Sequence, residues 1–158
     1  MITSTTQSTM NRLGLFVAAL ALGFMLVTPL IAAENNSRDL FQVKAIDSLL
    51  KKITGGAAVS ATDKIVILSP QIAESGKEVS IAVRSEGLKY VESITLMAEK
   101  NTNPMLASFK MSERSKPFIR SRVKLSKTTR VLALVKADGK YYTASTVVKV
   151  TDGGCGGG

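Results

Sequence analysis

Histidine is absent from the chain of 158 residues. With it go the Ser-His-Asp and Cys-His nucleophilic arrangements and any imidazole metal site. Cysteine occurs once, at Cys155, so there is no intrachain disulfide and no thiolate cluster to hold a metal. Tryptophan is missing, and three Tyr and five Phe make up the whole aromatic complement. Acidic residues are in short supply as well: 12 stand against 21 basic ones, for a formal net charge of +9. A basic protein meets nucleic acid, anionic lipid, or an anionic partner or substrate. Here the Lys and Arg are spread along the chain rather than clustered, and few aromatics are available for base stacking, which argues against nucleic acid. The chain is poorly equipped for enzymatic work, and no catalytic residue and no metal site are expected on it.

What the N-terminus does hold is an apolar run. Arg12 is the only charge before Glu34, residues 13–30 are almost unbroken in apolar character, and Ala32 and Ala33 precede Glu34-Asn35-Asn36. A basic start, an apolar centre and small residues at the cut are the parts of a secretory signal peptide, read here as residues 1–33 with cleavage after Ala33. An uncleaved anchor is the alternative, since roughly 18 apolar residues span a bilayer; the lack of a following basic cluster favours cleavage and no stable membrane insertion. Residues 34–151 are then one domain of ordinary size, and 152–158 a tail. An exported domain without an internal disulfide relies on its hydrophobic core, and its lone thiol needs another explanation.

Within the domain, Asn36-Ser37 are placed to cap a helix over residues 38–54. Leu40, Phe41, Ile46, Leu49, Leu50 and Ile53 recur near helical spacing, and Gly55-Gly56 ends the element. Such a helix either packs on its own domain or docks a partner. From Ala61 onward the period changes to two. Short runs follow at 65–68, 79–83, 92–99, 105–111, 118–125, 131–136 and 141–150, with Val79, Ile81 and Val83, and Ile119, Val123 and Leu125, alternating with polar or small neighbours. Ala137-Asp138-Gly139-Lys140 reads as a tight hairpin. About seven strands with regular turns predict an all-β fold, an immunoglobulin-like antiparallel β-sandwich with one N-terminal helix and a flexible C-terminal tail.

The tail is Gly153-Gly154-Cys155-Gly156-Gly157-Gly158. Glycine has no Cβ, so a thiol flanked by Gly153, Gly154, Gly156 and Gly157 sits on a slim, pliable arm able to enter a narrow channel. Four residues separate Cys155 from Thr151, a reach of about 13 Å when extended. An exposed thiol ionises near pH 8.5 or so, leaving a few per cent thiolate at neutrality, nucleophilic enough to be loaded by a partner. The expectation is a covalent carrier arm. Three other readings compete: a tail whose cysteine forms an intermolecular disulfide on an exported immunoglobulin-like binding module, a prenylation site, and a ubiquitin-like sulfur carrier. Prenylation is disfavoured because Gly156 and Gly157 are not aliphatic. The ubiquitin-like carriers use a terminal carboxylate and need no cysteine beside it.

Several blocks resemble the sulfur-oxidation carrier family SoxY, half of the SoxYZ carrier, over roughly residues 40–158. Pro70-Gln71-Ile72-Ala73-Glu74-Ser75-Gly76 is similar to the family's Pro-x-Ile-Ala-Glu-x-Gly segment. Tyr90-Val91-Glu92-Ser93-Ile94, Asn103-Pro104-Met105-Leu106-Ala107-Ser108-Phe109 and Ser121-Arg122-Val123-Lys124-Leu125 resemble later blocks, and Gly153-Gly154-Cys155-Gly156-Gly157 is the most specific part. The resemblance implies a periplasmic sulfur carrier in thiosulfate and sulfide oxidation, with sulfur held covalently on Cys155 and no cofactor. It implies a heterodimer with a SoxZ-like subunit. It also implies service by the c-type cytochrome SoxXA, the sulfate-releasing hydrolase SoxB and, where present, the sulfane dehydrogenase SoxCD. Two departures stand out. Asn11-Arg12 offers a single arginine where the family commonly has a twin-arginine signal, and Gly158 lengthens the tail by one residue.

Overall fold

The computed structural model describes residues 37–151. The expected signal peptide and Asn36 of the expected cap lie outside the described residues. In chain order come α1 (Ser37–Leu40), α2 (Ile46–Thr54), β1 (Val59–Ala61), β2 (Ile65–Leu68), β3 (Ile72–Ala73), β4 (Val79–Ser85), β5 (Val91–Ala98), β6 (Met105–Lys110), β7 (Phe118–Val123), β8 (Thr129–Ala137) and β9 (Lys140–Val150). The larger sheet has the order β1-β9-β8-β5-β6, with β3 also on β9; the smaller has the order β2-β4-β7. All pairings are antiparallel except those of β1 and β3, which run parallel to β9. The all-β sandwich and its seven expected strands are there. The two short parallel strands were not expected, since three and two residues hold too little alternation to read.

The inner faces interleave as period two requires. Val79, Ile81 and Val83 of β4, Ile94, Leu96 and Ala98 of β5, Val131, Ala133 and Val135 of β8 and Val148 of β9 form one buried cluster. On β7 and just beyond it, Ile119, Val123 and Leu125 are buried while Arg120, Arg122 and Lys124 are exposed, as their alternation predicts. The run Val131-Leu132-Ala133-Leu134-Val135 does not alternate, because β8 is covered on both sides. Its outward residues Leu132 and Leu134 join Met97, Met105 and Leu49 in a second buried cluster, roofed by Leu40, Val43, Ile46, Leu50 and Ile53. The helical segment therefore packs on its own sheet, and the Tyr141 hydroxyl donates to the Ile53 carbonyl at 3.2 Å to fasten it.

The single helix expected over 38–54 is instead two short ones. At roughly 100° per residue, Leu40 on a straight helix would sit about 130° from the centre of the Ile46, Leu49, Leu50 and Ile53 stripe. Breaking the helix at residues 41–45 brings Leu40 and Val43 back onto the sheet. Phe41, Gln42 and Val43 donate to the carbonyls three residues earlier, and Ala45 is extended. The exit is as read: Gly55 has φ 64° and the Gly56 N–H donates to the Lys51 carbonyl at 3.2 Å. Gly55→Ala is expected to destabilise the domain by about 1 kcal/mol, the penalty of a Cβ in the left-handed region, seen as a lower urea midpoint at unchanged slope.

The hairpin between β8 and β9 turns at Asp138 (φ 50°) and Gly139 (φ 68°), the twist-matched two-residue turn. Glu92 braces it, accepting from Lys136 Nζ at 2.6 Å and from the Gly139 N–H at 2.9 Å. The Lys136 hydrogen bond, then that of Gly139, holds the Glu92 carboxyl below its ordinary 4.5, and Glu92 in turn raises Lys136 above 10.5. A lowered carboxyl stabilises the fold above its unfolded value and stops doing so as pH falls through the folded one; the raised lysine loses its share above pH 10.5. The pair is partly exposed, so Glu92→Gln is expected to lower stability by less than about 1 kcal/mol at neutral pH. That difference from the parent closes as the medium is acidified below pH 4.5, a comparison made by thermal melts across pH.

Candidate functional site

Cys155 and the arm glycines Gly153, Gly154, Gly156 and Gly157 lie outside the described residues. What the described residues hold is the mount from which that tail departs. β9 is the longest strand, and its last residues are fastened from two directions. On one side β3 pairs in parallel, Ile72 with Lys149 and Ala73 with Val150. The Lys149 N–H donates to the Gln71 carbonyl at 2.9 Å, and the Thr151 N–H donates to that of Ala73 at 3.0 Å. On the other side the Val150 N–H donates to Thr128 Oγ1 at 3.0 Å, and that hydroxyl donates to the Val150 carbonyl at 3.3 Å. The chain is thus held up to Thr151, one residue before the tail.

The clasp is itself locked. The Leu125 N–H donates to the Gly76 carbonyl at 2.8 Å. A Cβ on Gly76 would lie 2.0 Å from the Leu125 carbonyl oxygen and 3.1 Å from Val150 Cγ1. Only glycine allows the segment after β3 to press against both the loop after β7 and the end of β9. Asn101 joins the next loop, donating from Nδ2 to the Lys124 carbonyl at 2.8 Å and accepting at Oδ1 from the Ser126 N–H at 2.9 Å. The Lys100 N–H donates to Thr129 Oγ1 at 2.9 Å. Beside this knot lies a shallow cleft of about 310 Å³ lined by Glu74, Ser75, Gly76, Lys77, Lys124, Leu125 and Ser126.

These residues tie the end of β9 to β3 and to the loops on either side by main-chain and side-chain hydrogen bonds. Among the described residues no three His, Cys, Asp or Glu side chains gather into a metal site, and no helix is long and apolar enough to cross a membrane. Reading the sequence for strands and thiols missed β3, Gly76 and Thr128 as parts of the mount. The one available signal was the Pro70 to Gly76 block: its Ile72-Ala73 pair is the clasp strand, and Gly76 is the glycine that the close approach demands.

The family model described as sulfur oxidation protein SoxY matches residues 50–155, from α2 into the tail and through Cys155. No curated protein matches the chain. Among solved structures, the sulfur carrier protein SoxY from Chlorobium limicola f thiosulfatophilum is 31% identical with a TM-score of 0.63, covering 72% of this chain and 98% of its own. Superoxide reductase (neelaredoxin) from Ignicoccus hospitalis is 18% identical with a TM-score of 0.50, covering 56% of this chain and 81% of its own. A point variant of that reductase is 15% identical with a TM-score of 0.52, over 68% and 99%. The reductases share the fold alone.

Proposed function

Since the chain belongs to the SoxY family of sulfur-oxidation proteins, carriers rather than enzymes that work with partner proteins, we propose that it holds the sulfur intermediates of thiosulfate oxidation covalently on Cys155 in the periplasm. The observation that carries this reading is the family match running through Cys155, on a domain whose last strand is clasped up to Thr151. A thiol meant to travel between enzymes needs a fixed origin and a slim leash, and the two parts meet at residue 151.

The chemistry asks little of the domain. The Cys155 thiolate joins the outer sulfur of thiosulfate, and the two electrons released in forming that S–S bond pass to a c-type cytochrome such as SoxXA. Water then cleaves the S–SO₃ bond in a SoxB-type hydrolase, sulfate leaves, and a persulfide remains on Cys155. A SoxCD-type sulfane dehydrogenase, where present, oxidises that outer sulfur by six electrons, which pass to a c-type cytochrome while three waters supply the oxygens, to give Cys155–S–SO₃⁻. Hydrolysis of its S–SO₃ bond then releases a second sulfate and frees the Cys155 thiol. Gly153, Gly154, Gly156 and Gly157 keep the approach to each active site free of side chains. A SoxZ-like subunit completes the carrier as a heterodimer, and no haem, metal or other cofactor resides on this chain. Residues 1–33 direct export and are removed.

The test uses a membrane-impermeant maleimide on periplasmic extracts. In thiosulfate-fed cells a fraction of the protein, beginning at Glu34 and running as a monomer on a non-reducing gel, should resist the label and accept it after treatment with a thiol reductant. Full labelling before reduction, or resistance confined to a disulfide-linked dimer, would overturn the reading.

A further inference from the structure

The outer faces of the two sheets differ in cover. The helical segment roofs the larger one with Leu40, Ile46, Leu50 and Ile53, whereas the smaller one keeps Leu68, Arg84, Phe118 and Arg120 exposed. Pairing sets their places: Leu68 and Arg120 flank the buried Ala82, and Phe118 lies opposite Arg84. Where β4 ends and β7 begins, a mainly apolar cleft of about 460 Å³ opens, lined by Arg84, Ser85, Glu86, Lys116, Pro117 and Phe118. Ser85 is 5% exposed, and among the described residues its hydroxyl is the buried side-chain polar group with no hydrogen-bond partner. A buried hydroxyl left unpaired costs free energy, so this one calls for a partner. Exposed cations recur over the whole domain, and charge alone selects nothing; an apolar concavity with an unsatisfied hydroxyl is what marks this place. Charge then narrows the occupant. Arg84 is engaged by Glu86 at 2.5 Å, but Lys116 and Arg120 enter no salt bridge among the described residues. Arg120 lies over the Phe118 ring, 5.9 Å from its centroid.

We infer that this cleft docks an acidic segment of a partner protein through a tyrosine side chain. The ring seats against Pro117 and Phe118, the phenol meets the Ser85 hydroxyl, and flanking carboxylates meet Lys116 and Arg120. Tyrosine combines a large apolar ring with a polar tip, which suits an apolar wall over a lone polar group. Arginine and aromatic side chains such as Arg120 and Phe118 concentrate binding energy at interfaces. A second copy of this chain fits poorly: at net charge +9, a two-fold contact here would set Lys116 and Arg120 against their own counterparts. A nucleic-acid strand stacks its bases on successive aromatic rings, and the cleft offers the ring of Phe118 alone. Along β4 about 20 Å separate Ser85 from Val79 and the knot at Gly76, so an occupant of the cleft stays off the mount. The inference does not depend on the role of Cys155.

The probes are acetylated, amidated pentapeptides, Glu-Asp-Tyr-Glu-Asp and its versions with Phe or Ala at the centre, titrated into the isotope-labelled protein under a thiol reductant. The amides of Arg84, Ser85, Glu86 and Phe118 are expected to shift saturably with the tyrosine peptide. The alanine peptide should bind about tenfold more weakly, because the aromatic burial is lost. The phenylalanine peptide should bind several-fold more weakly, because Ser85 stays unpaired. Ser85→Ala should erase the difference between tyrosine and phenylalanine without lowering the thermal midpoint. The double variant Lys116→Gln, Arg120→Gln should weaken the tyrosine peptide several-fold at about 0.02 M salt and match the parent at about 0.5 M. No saturable shift at millimolar peptide, equal binding of the tyrosine and alanine peptides, or a tyrosine preference that survives Ser85→Ala would overturn the inference. So would tighter binding of a thymidine dodecanucleotide at the same amides.

Discussion

Cys155→Ser is expected to abolish sulfur carriage and thiosulfate oxidation while leaving the domain as stable as before. A serine hydroxyl is not ionised near neutral pH, has no histidine anywhere in the chain to deprotonate it, and forms no counterpart of an S–S bond, so no residual loading should be seen. Both apolar clusters close with residues 40–150, and the last fastening among the described residues is at Thr151. A substitution outside the packed body changes stability by no more than about 0.5 kcal/mol, so the thermal midpoint should stay within about 2 °C of the parent. Loss of function accompanied by a midpoint lowered by many degrees would instead give Cys155 a structural role.

Gly76→Ala should do the reverse, damaging the body rather than the chemistry. The new methyl carbon would sit 2.0 Å from the Leu125 carbonyl oxygen, well inside any contact distance. That oxygen belongs to backbone which cannot swing away: Leu125 is buried and its N–H is tied to the Gly76 carbonyl. The segments around residues 76 and 125 must part, and with them the packing against Val150. Overpacking of this kind destabilises by about 3 kcal/mol when the obstacle is main chain, which for a domain of this size lowers the midpoint by roughly 10 °C or more. Hydrogen exchange should localise the effect, with the amides of Leu125, Lys149 and Thr151 losing protection before those of β5 and β8. A variant with parental stability and protection would show that the clasp is slack.

Much of the fold was readable from period and punctuation. Val79, Ile81 and Val83, or Ile94, Leu96 and Ala98, alternate because one face of their sheet meets the other sheet. Asp138-Gly139 marks the hairpin because both residues tolerate positive φ. The helix misread has a clear origin: Leu40 and Phe41 lie near enough to helical spacing to extend the pattern, yet only a break lets Leu40 reach the sheet. β1 and β3 were out of reach for a different reason. Each is two or three residues long and pairs with a strand some 80 positions away, so no local pattern records it. The site divides along the same line. Cys155 stands out by composition alone, whereas the mount depends on contacts between Ala73, Gly76, Leu125, Thr128 and Val150 that the chain sequence does not place side by side.

The most direct measurement follows the mass of the intact protein through a single pulse of thiosulfate given to cells that oxidise it. The expected result is that a fraction of the chain gains one thiosulfate-derived group on Cys155, then retains a single sulfur once sulfate has left, and returns to its unmodified mass as the thiosulfate is consumed. A polypeptide whose mass never changes while the thiosulfate disappears would contradict the carrier role.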